Sequence, residues 1–335
     1  MGKAAPSKPF GSLFRHLESA VPVIPFDSGN TRTVELPRSY LFKRLVLRLS
    51  GSVTWAAGTP TAVGTEQPLA ILRSIEIIAD GRKTIARAAG KDLFRLAHIT
   101  VGKRPELSFT APAGAGPSPF AATIPIDFQA LRFVKPVDSY LDPRGFEKLE
   151  LRVTWGVVGD LVTGGTTPAV SAATQLSVTA IQTTEGEFNI MASKLITSLQ
   201  RDVTATTPNL ELVLPRTGLL AGILLRTERD NSVQNDILNR FTLKSDNNIS
   251  HFDQIVAPDL QRRNVFDYQL DLGGGGDGQI SGYYYVDLTE DGRLNSALNT
   301  FVLNELKAIL DVTRTSGVEM ITATLLQFEP ASGRA

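Results

Sequence analysis

Three histidines, His16, His98 and His251, are the residues whose type suits metal ligation or general-base work near neutral pH. A metal site in a β-barrel needs two or three such ligands and a carboxylate converging on one point. No two of these histidines lie within ten residues of each other, so the spacing offers no ligand motif. The chain has no cysteine, which removes disulfides, thiolate metal sites and a Cys nucleophile. No Gly-x-Ser-x-Gly elbow occurs to carry the strained serine of a hydrolase. The run Gly273-Gly274-Gly275-Gly276-Asp277-Gly278 has the composition of a phosphate cradle, but no Gly-Lys-Ser/Thr follows and it reads as a surface turn. Asp127 and Asp287 each follow an apolar stretch and read as turn or cap residues rather than a catalytic dyad. Trp55 and Trp155 sit near strand ends, where they could stack on a sugar; core packing is the better-supported reading, because neither has a Trp counterpart in the second half of the chain and Trp155 aligns near Arg314. The inventory therefore assigns no catalytic residue, no cofactor and no metal.

The bulk numbers narrow the class further. A chain of 335 residues, 42% hydrophobic and 20% charged, buries a substantial core in one large domain or two. Its 34 basic and 34 acidic residues cancel, which argues against coating nucleic acid. No apolar run approaches the ~20 residues of a membrane-spanning helix. The opening stretch, Met1 to Pro9, lacks the apolar region of a secretory signal.

What remains is an internal duplication. Leu36-Pro37-Arg38-Ser39-Tyr40-Leu41-Phe42-Lys43-Arg44-Leu45-Val46-Leu47-Arg48 returns as Leu214-Pro215-Arg216-Thr217-Gly218-Leu219-Leu220-Ala221-Gly222-Ile223-Leu224-Leu225-Arg226, at a constant offset of 178 with six identities. Proline at a strand start costs no ladder bond of consequence. Strict alternation beyond it puts Leu41, Leu45, Leu47 and Leu49 on one face and Arg44 and Arg48 on the other. The even offset gives the second copy the same parity, with Leu219, Ile223 and Leu225 inward and Arg226 outward. Five more elements follow in matched order. Ile71 to Asp80, closed by the hairpin dipeptide Asp80-Gly81, matches Ile237 to Asp246. Asp92-Leu93-Phe94-Arg95 matches Asp259-Leu260-Gln261-Arg262, and Ile124 to Phe128 matches Tyr284 to Leu288. Leu149 to Thr154 matches Leu306 to Thr313, and Leu176 to Thr183 matches Met320 to Phe328. Length differences fall in Gly/Pro/Thr-rich loops, where insertions are tolerated. Short strands with turn signals between them predict two antiparallel sandwiches or barrels in tandem.

Ahead of the first box, Phe10, Leu13, Phe14 and Leu17 have the i, i+3, i+4, i+7 spacing of one helical face, and Phe188, Met191, Ala192 and Leu195 repeat it ahead of the second. The stripe of Phe10, Leu13, Phe14 and Leu17 either packs on its own domain or marks a contact with a neighbouring subunit or a membrane surface. The expected division is 1–29 as N-terminal arm and amphipathic helix, 30–184 as first barrel, 185–209 as linker and lead-in, and 210–335 as second barrel.

Two tandem barrels behind a short helix resemble the double jelly-roll major capsid proteins of tailless icosahedral viruses, membrane-containing bacteriophages among them. The likeness is carried by the Leu36–Arg48 strand, the Ile71–Gly81 strand with its turn, Ile124–Phe128 and Leu141–Gly156. It implies an all-β double jelly roll with a short N-terminal helix and short helices in loops. It also implies a homotrimer whose six barrels mimic a hexagon and tile an icosahedral shell. Phe10, Leu13, Phe14 and Leu17 would then lie on the inner surface as assembly contacts. The implied partners are the chain itself, minor capsid and vertex proteins, and in many members an internal lipid membrane, with no sequence-specific nucleic acid. The implied location is the virion, assembled in the host cytoplasm. Two other readings use the same pattern: a carbohydrate-binding attachment protein, and a two-domain jelly-roll glycan amidase.

Overall fold

The computed structural model describes residues 16–64, 66–113, 116–130, 139–183, 192–246, 249–270, 280–289 and 296–330. Sixteen of its strands form two barrels, and each strand of the first has a counterpart eight strands later. The first barrel holds β1 (His16–Pro25), β2 (Thr31–Glu35), β3 (Leu41–Thr54), β4 (Leu72–Ala79), β5 (Lys83–Ala88), β6 (Ser118–Asp127), β7 (Leu149–Trp155) and β8 (Gln175–Thr183), with helix α1 (Gly90–Val101) between β5 and β6. The second holds β9 (Ala192–Asp202), β10 (Thr207–Val213), β11 (Leu219–Arg229), β12 (Leu238–Ser245), β13 (Ile249–Val256), β14 (Tyr283–Asp287), β15 (Leu306–Val312) and β16 (Glu319–Pro330), with α2 (Ala257–Tyr268) between β13 and β14.

Each barrel is a jelly roll whose eight strands lie in two facing sets of four, with short strands at Leu107–Phe109 and Ala169–Val170 added to the first sheet. In the first the orders are β1-β8-β3-β6 and β2-β7-β4-β5; in the second they are β9-β16-β11-β14 and β10-β15-β12-β13. The duplication reaches the register. Leu47 lies opposite Ile124 and Val178, and its repeat Leu225 lies opposite Tyr284 and Ala323. Ile75 pairs with Val153 as Phe241 pairs with Leu310, and Val34 pairs with Leu151 as Leu212 pairs with Ala308. The bulge in this strand also repeats: Lys43 is the extra residue against β8, and Ala221 is the extra residue against β16. A one-residue slip would turn every core side chain outward, so a shared register and bulge require the same inward pattern in both halves.

The bulge corrects the strict alternation. The residue skipped at Lys43 turns Phe42, not Leu41, into the first core, and at Ala221 it turns Leu220, not Leu219, into the second. Leu219 packs instead on the first core. Beyond the bulge Leu45, Leu47 and Leu49 are fully buried, as alternation predicts. The Asp80-Gly81 turn behaves as its chemistry dictates. Both residues have positive φ, 52° and 70°, the pair a type I′ hairpin needs, and glycine takes the second at no steric cost.

Three expectations near the barrel starts change. Leu17 lies in β1, opposite Gln182, and not on a helix; Phe10, Leu13 and Phe14 lie outside the described residues. The repeat of that stripe behaves alike: Ala192 and Leu195 lie in β9, while Phe188 and Met191 lie outside the described residues. A barrel boundary at residue 30 therefore leaves β1 out, and a linker over 185–209 contains β9. The reason is pairing. β1 and β9 complete their sheets by antiparallel ladders to β8 and β16, with Val21 opposite Val178 and Leu199 opposite Ala323. The Gly273–Gly278 run also lies outside the described residues.

The barrels share one extended sheet. β9 runs parallel to β5, with Ile196 opposite Ala86 and Thr197 opposite Arg87. The first hydrophobic core continues across this seam to Ile196, Leu224, Tyr285, Leu326 and Phe328 of the second barrel, while the second core is enclosed within its own sheets.

Candidate functional site

Among the described residues the candidate chemical groups do not converge on one point. His16 is exposed beside Glu18, His251 bonds Ser245 from β13, and His98 is buried in α1 next to Arg95. Among the described residues no group of three His, Cys, Asp or Glu side chains could hold a metal, and no helix is long and apolar enough to cross a membrane. Trp155 is buried in the first core, edge-on to Phe26 at 5.4 Å. Asp127 and Asp287 end β6 and β14; Asp127 pairs with Arg44 at 2.5 Å, and Asp287 accepts from the Thr289 backbone at 2.8 Å and from the Tyr268 hydroxyl. Arg44 is thus not a free outward side chain.

The chemistry concentrates in the seam. Alternation aims Arg226 out of the second barrel, but the first barrel covers that face and leaves the residue 3% exposed. From β11 it donates to Asp92 of α1 through Nε at 2.6 Å and Nη2 at 3.2 Å, to Thr322 at 3.3 Å, and to Glu228. Lys91 closes the circuit, donating to Glu228 at 2.6 Å and to the Asn231 carbonyl at 2.7 Å. Beside it Arg95 pairs with Glu66, lies 4.6 Å above the Tyr283 ring, and contacts His98 Nδ1 at 3.1 Å; the Tyr283 hydroxyl donates to Glu66. Three cations meet three carboxylates, so the buried set is neutral.

The electrostatics follow from that closure. Burial opposes the charge on Arg226, but Asp92 and Glu228 outweigh it and hold the guanidinium above its ordinary range. Burial likewise opposes the Glu228 carboxylate, and Arg226 with Lys91 outweigh it, so its pKa is lowered. Burial raises the Asp92 carboxyl overall, against the pull of the Arg226 fork, whose bidentate geometry favours the charged form. Tyr283 is driven well above its usual value, first by burial and then by Glu66. Such a network holds two bodies in one orientation, because each charge is costly to bury unless its partner stays in place.

A second polar pocket lies along the same seam. Lys194 of β9 borders a small, partly open cavity of about 30 Å³ shared with Thr100, Gln129, Tyr268, Tyr285 and Asp287. Burial pushes its ammonium down to about 8, against the pull of Asp127 and with the push of Arg44. The unfolded lysine titrates near 10.4. Between these values the unfolded chain binds more protons, so stability is expected to rise with pH from about 8 to about 10. Lys194→Met should flatten that rise and add roughly 3 kcal/mol at pH 7, read by urea denaturation at a series of pH values. An unchanged slope in the variant would assign the rise to another group.

The seam network was not legible as a site from the sequence, where Arg226 read as an outward surface residue. One signal pointed to it: the arginine ends the repeated box, and Asp92 and Asp259 occupy matching places in the two helices.

No family model and no curated protein matches the sequence. Solved structures do match in fold. A chain from the atomic structure of Sulfolobus turreted icosahedral virus superposes with a TM-score of 0.71 at 13% identity, over 94% of this chain and 91% of that one. The major capsid protein of bacteriophage PM2 gives 0.62 at 15% identity, over 96% and 100%. The Faustovirus major capsid protein gives 0.59 at 8%, over 99% and 93%. At such identities the likeness establishes the architecture, a double jelly roll along nearly the whole length of each chain.

Proposed function

We propose that this chain is the major capsid protein of an icosahedral virus, three copies of which form a pseudo-hexagonal block of six barrels that tiles the shell. The observation that carries the reading is the end-to-end match of fold with capsid proteins of several viruses. The seam supports it, because a shell unit must present two barrels in one fixed orientation and a buried neutral charge network does so. The balanced net charge fits a wall better than a genome-coating protein. Expression of the chain followed by light scattering and electron microscopy tests it: trimers and closed particles are expected, and a monomer at every concentration would overturn the reading.

The apolar stripe of Phe10, Leu13 and Phe14 precedes β1, and we assign it to contacts between blocks beneath the shell. Removing residues 1–15 leaves β1 whole, so the truncated chain should still form trimers in light scattering. It should lose closed particles in electron microscopy. Normal shells from the truncated chain would reject the assembly role, and loss of the trimer would place the stripe within the block.

A further inference from the structure

The two barrels are alike in sequence and register but unlike in what covers them. Strand β11 is buried on both faces, because α1 of the first barrel lies over its outer side; its repeat β3 alternates, with Val46 half-buried and Arg48 exposed. The helices show the complementary difference. In α1 almost every residue is buried, whereas α2 buries only one side, through Ala257, Leu260, Asn264 and Tyr268. Its third, sixth and tenth residues are Asp259, Arg262 and Phe266, matching Asp92, Arg95 and Ile99 of α1. Ile99 is 2% exposed and Phe266 is 83% exposed. Each half therefore carries one part of the same joint, and within one chain only one pair of parts meets.

We infer that the joint is made a second time between copies: the outer face of the β1-β8-β3-β6 sheet receives α2 of another chain, with Arg48 paired to Asp259 as Arg226 is paired to Asp92. This deepens the reading above and rests on it, since it names the surfaces through which copies associate. The equivalence follows from register. Arg48 stands opposite Ser177 and Thr123, and Arg226 stands opposite Thr322 and Tyr283, the matching positions of β8, β6, β16 and β14. Arg48 has no partner among the described residues, and Asp259, its side chain 67% exposed, makes only a loose 3.6 Å contact with Arg262. Opposite charges thus sit at the two places the joint requires, and Phe266 supplies apolar area that water now faces.

Strand edges agree with the helices. β5 gives its outer edge to β9, whereas its repeat β13 has an outer edge without a strand among the described residues, as does β1, the repeat of β9. Applied between chains, the same relation sets β13 of one copy beside β1 of the next. The contact is head to tail, the kind that builds a ring when its rotation closes. It is also leaner than the internal joint: the positions of Lys91 and Glu228 are held by Pro258 and Ser50, so one ion pair replaces a network. A weaker contact suits subunits that must find each other after folding.

Charge exchange tests the pairing in the full-length chain. Arg48→Asp and Asp259→Arg should each weaken association roughly tenfold or more, measured by sedimentation velocity, with circular dichroism and melting point near those of the unmodified chain. The double variant Arg48→Asp/Asp259→Arg should regain most of the loss. Phe266→Ser, at an exposed position that the fold does not need, should weaken association with no loss of melting temperature. Single variants that associate like the unmodified chain would overturn the inference and leave the capsid reading standing, as would a double variant no better than either single. An unmodified chain that stays monomeric would overturn both.

Discussion

Asp92→Ala should cost about 3–5 kcal/mol of stability, because it leaves Arg226 buried with half its acceptors gone. The Arg226 and Asp92 side chains are 4% and 1% exposed and meet through two hydrogen bonds, so bulk solvent does not reach the pair to take the carboxylate's place. Glu228 would remain on Arg226, but it is already shared with Lys91. The loss should fall on the seam rather than on either core. Unfolding in urea should therefore change from one transition to two as the barrels come apart. Replacing the pair together, Asp92→Leu with Arg226→Met, should recover much of the stability, since apolar side chains of similar volume remove both buried charges. A cost below about 1 kcal/mol for Asp92→Ala would mean that water reaches the seam and that the barrels are held by apolar contact alone.

Leu47→Asp should be at least as severe, for a different reason. Leu47 is fully buried, paired across the sheet with Ile124 and Val178, within the apolar first core. The change removes a buried side chain worth about 2–5 kcal/mol and adds the desolvation of a carboxyl group. The chain should lose its soluble yield or melt many degrees lower. The neighbouring Arg48→Ser is the proper control, because that side chain points to solvent and should shift the stability of the dissociated chain by no more than about 0.5 kcal/mol. Arg44 is a poor control, since its removal strands the buried Asp127. Equal losses at positions 47 and 48 would refute the inward and outward assignment.

Topology was legible because it was written twice. A constant offset from the first box to the second implied equal registers, and the ladder of β11 to β16 repeats that of β3 to β8 pair for pair, down to the bulge at Lys43 and Ala221. Asp80-Gly81 announced its turn through local backbone preference, and the alternation of Leu45, Leu47 and Leu49 announced a half-buried strand. These features depend on near neighbours, and near neighbours are what a sequence displays.

The features that escaped it all depend on residues far apart in the chain. The spacing of Phe10, Leu13, Phe14 and Leu17 satisfies a helix, but Leu17 belongs to a strand because Gln182 offers it a ladder partner. Ala192 and Leu195 are drawn into β9 by β16 in the same way. Arg226 shows the division most plainly. Parity alone determined that it leaves its own barrel, and the equivalence of the two boxes determined that Arg48 does the same. Whether such a side chain meets water or a buried carboxylate was decided only when α1 came to rest on β11, bringing Asp92 to it across 134 residues. Burial is a property of what packs against a face, and only the folded chain supplies that second surface.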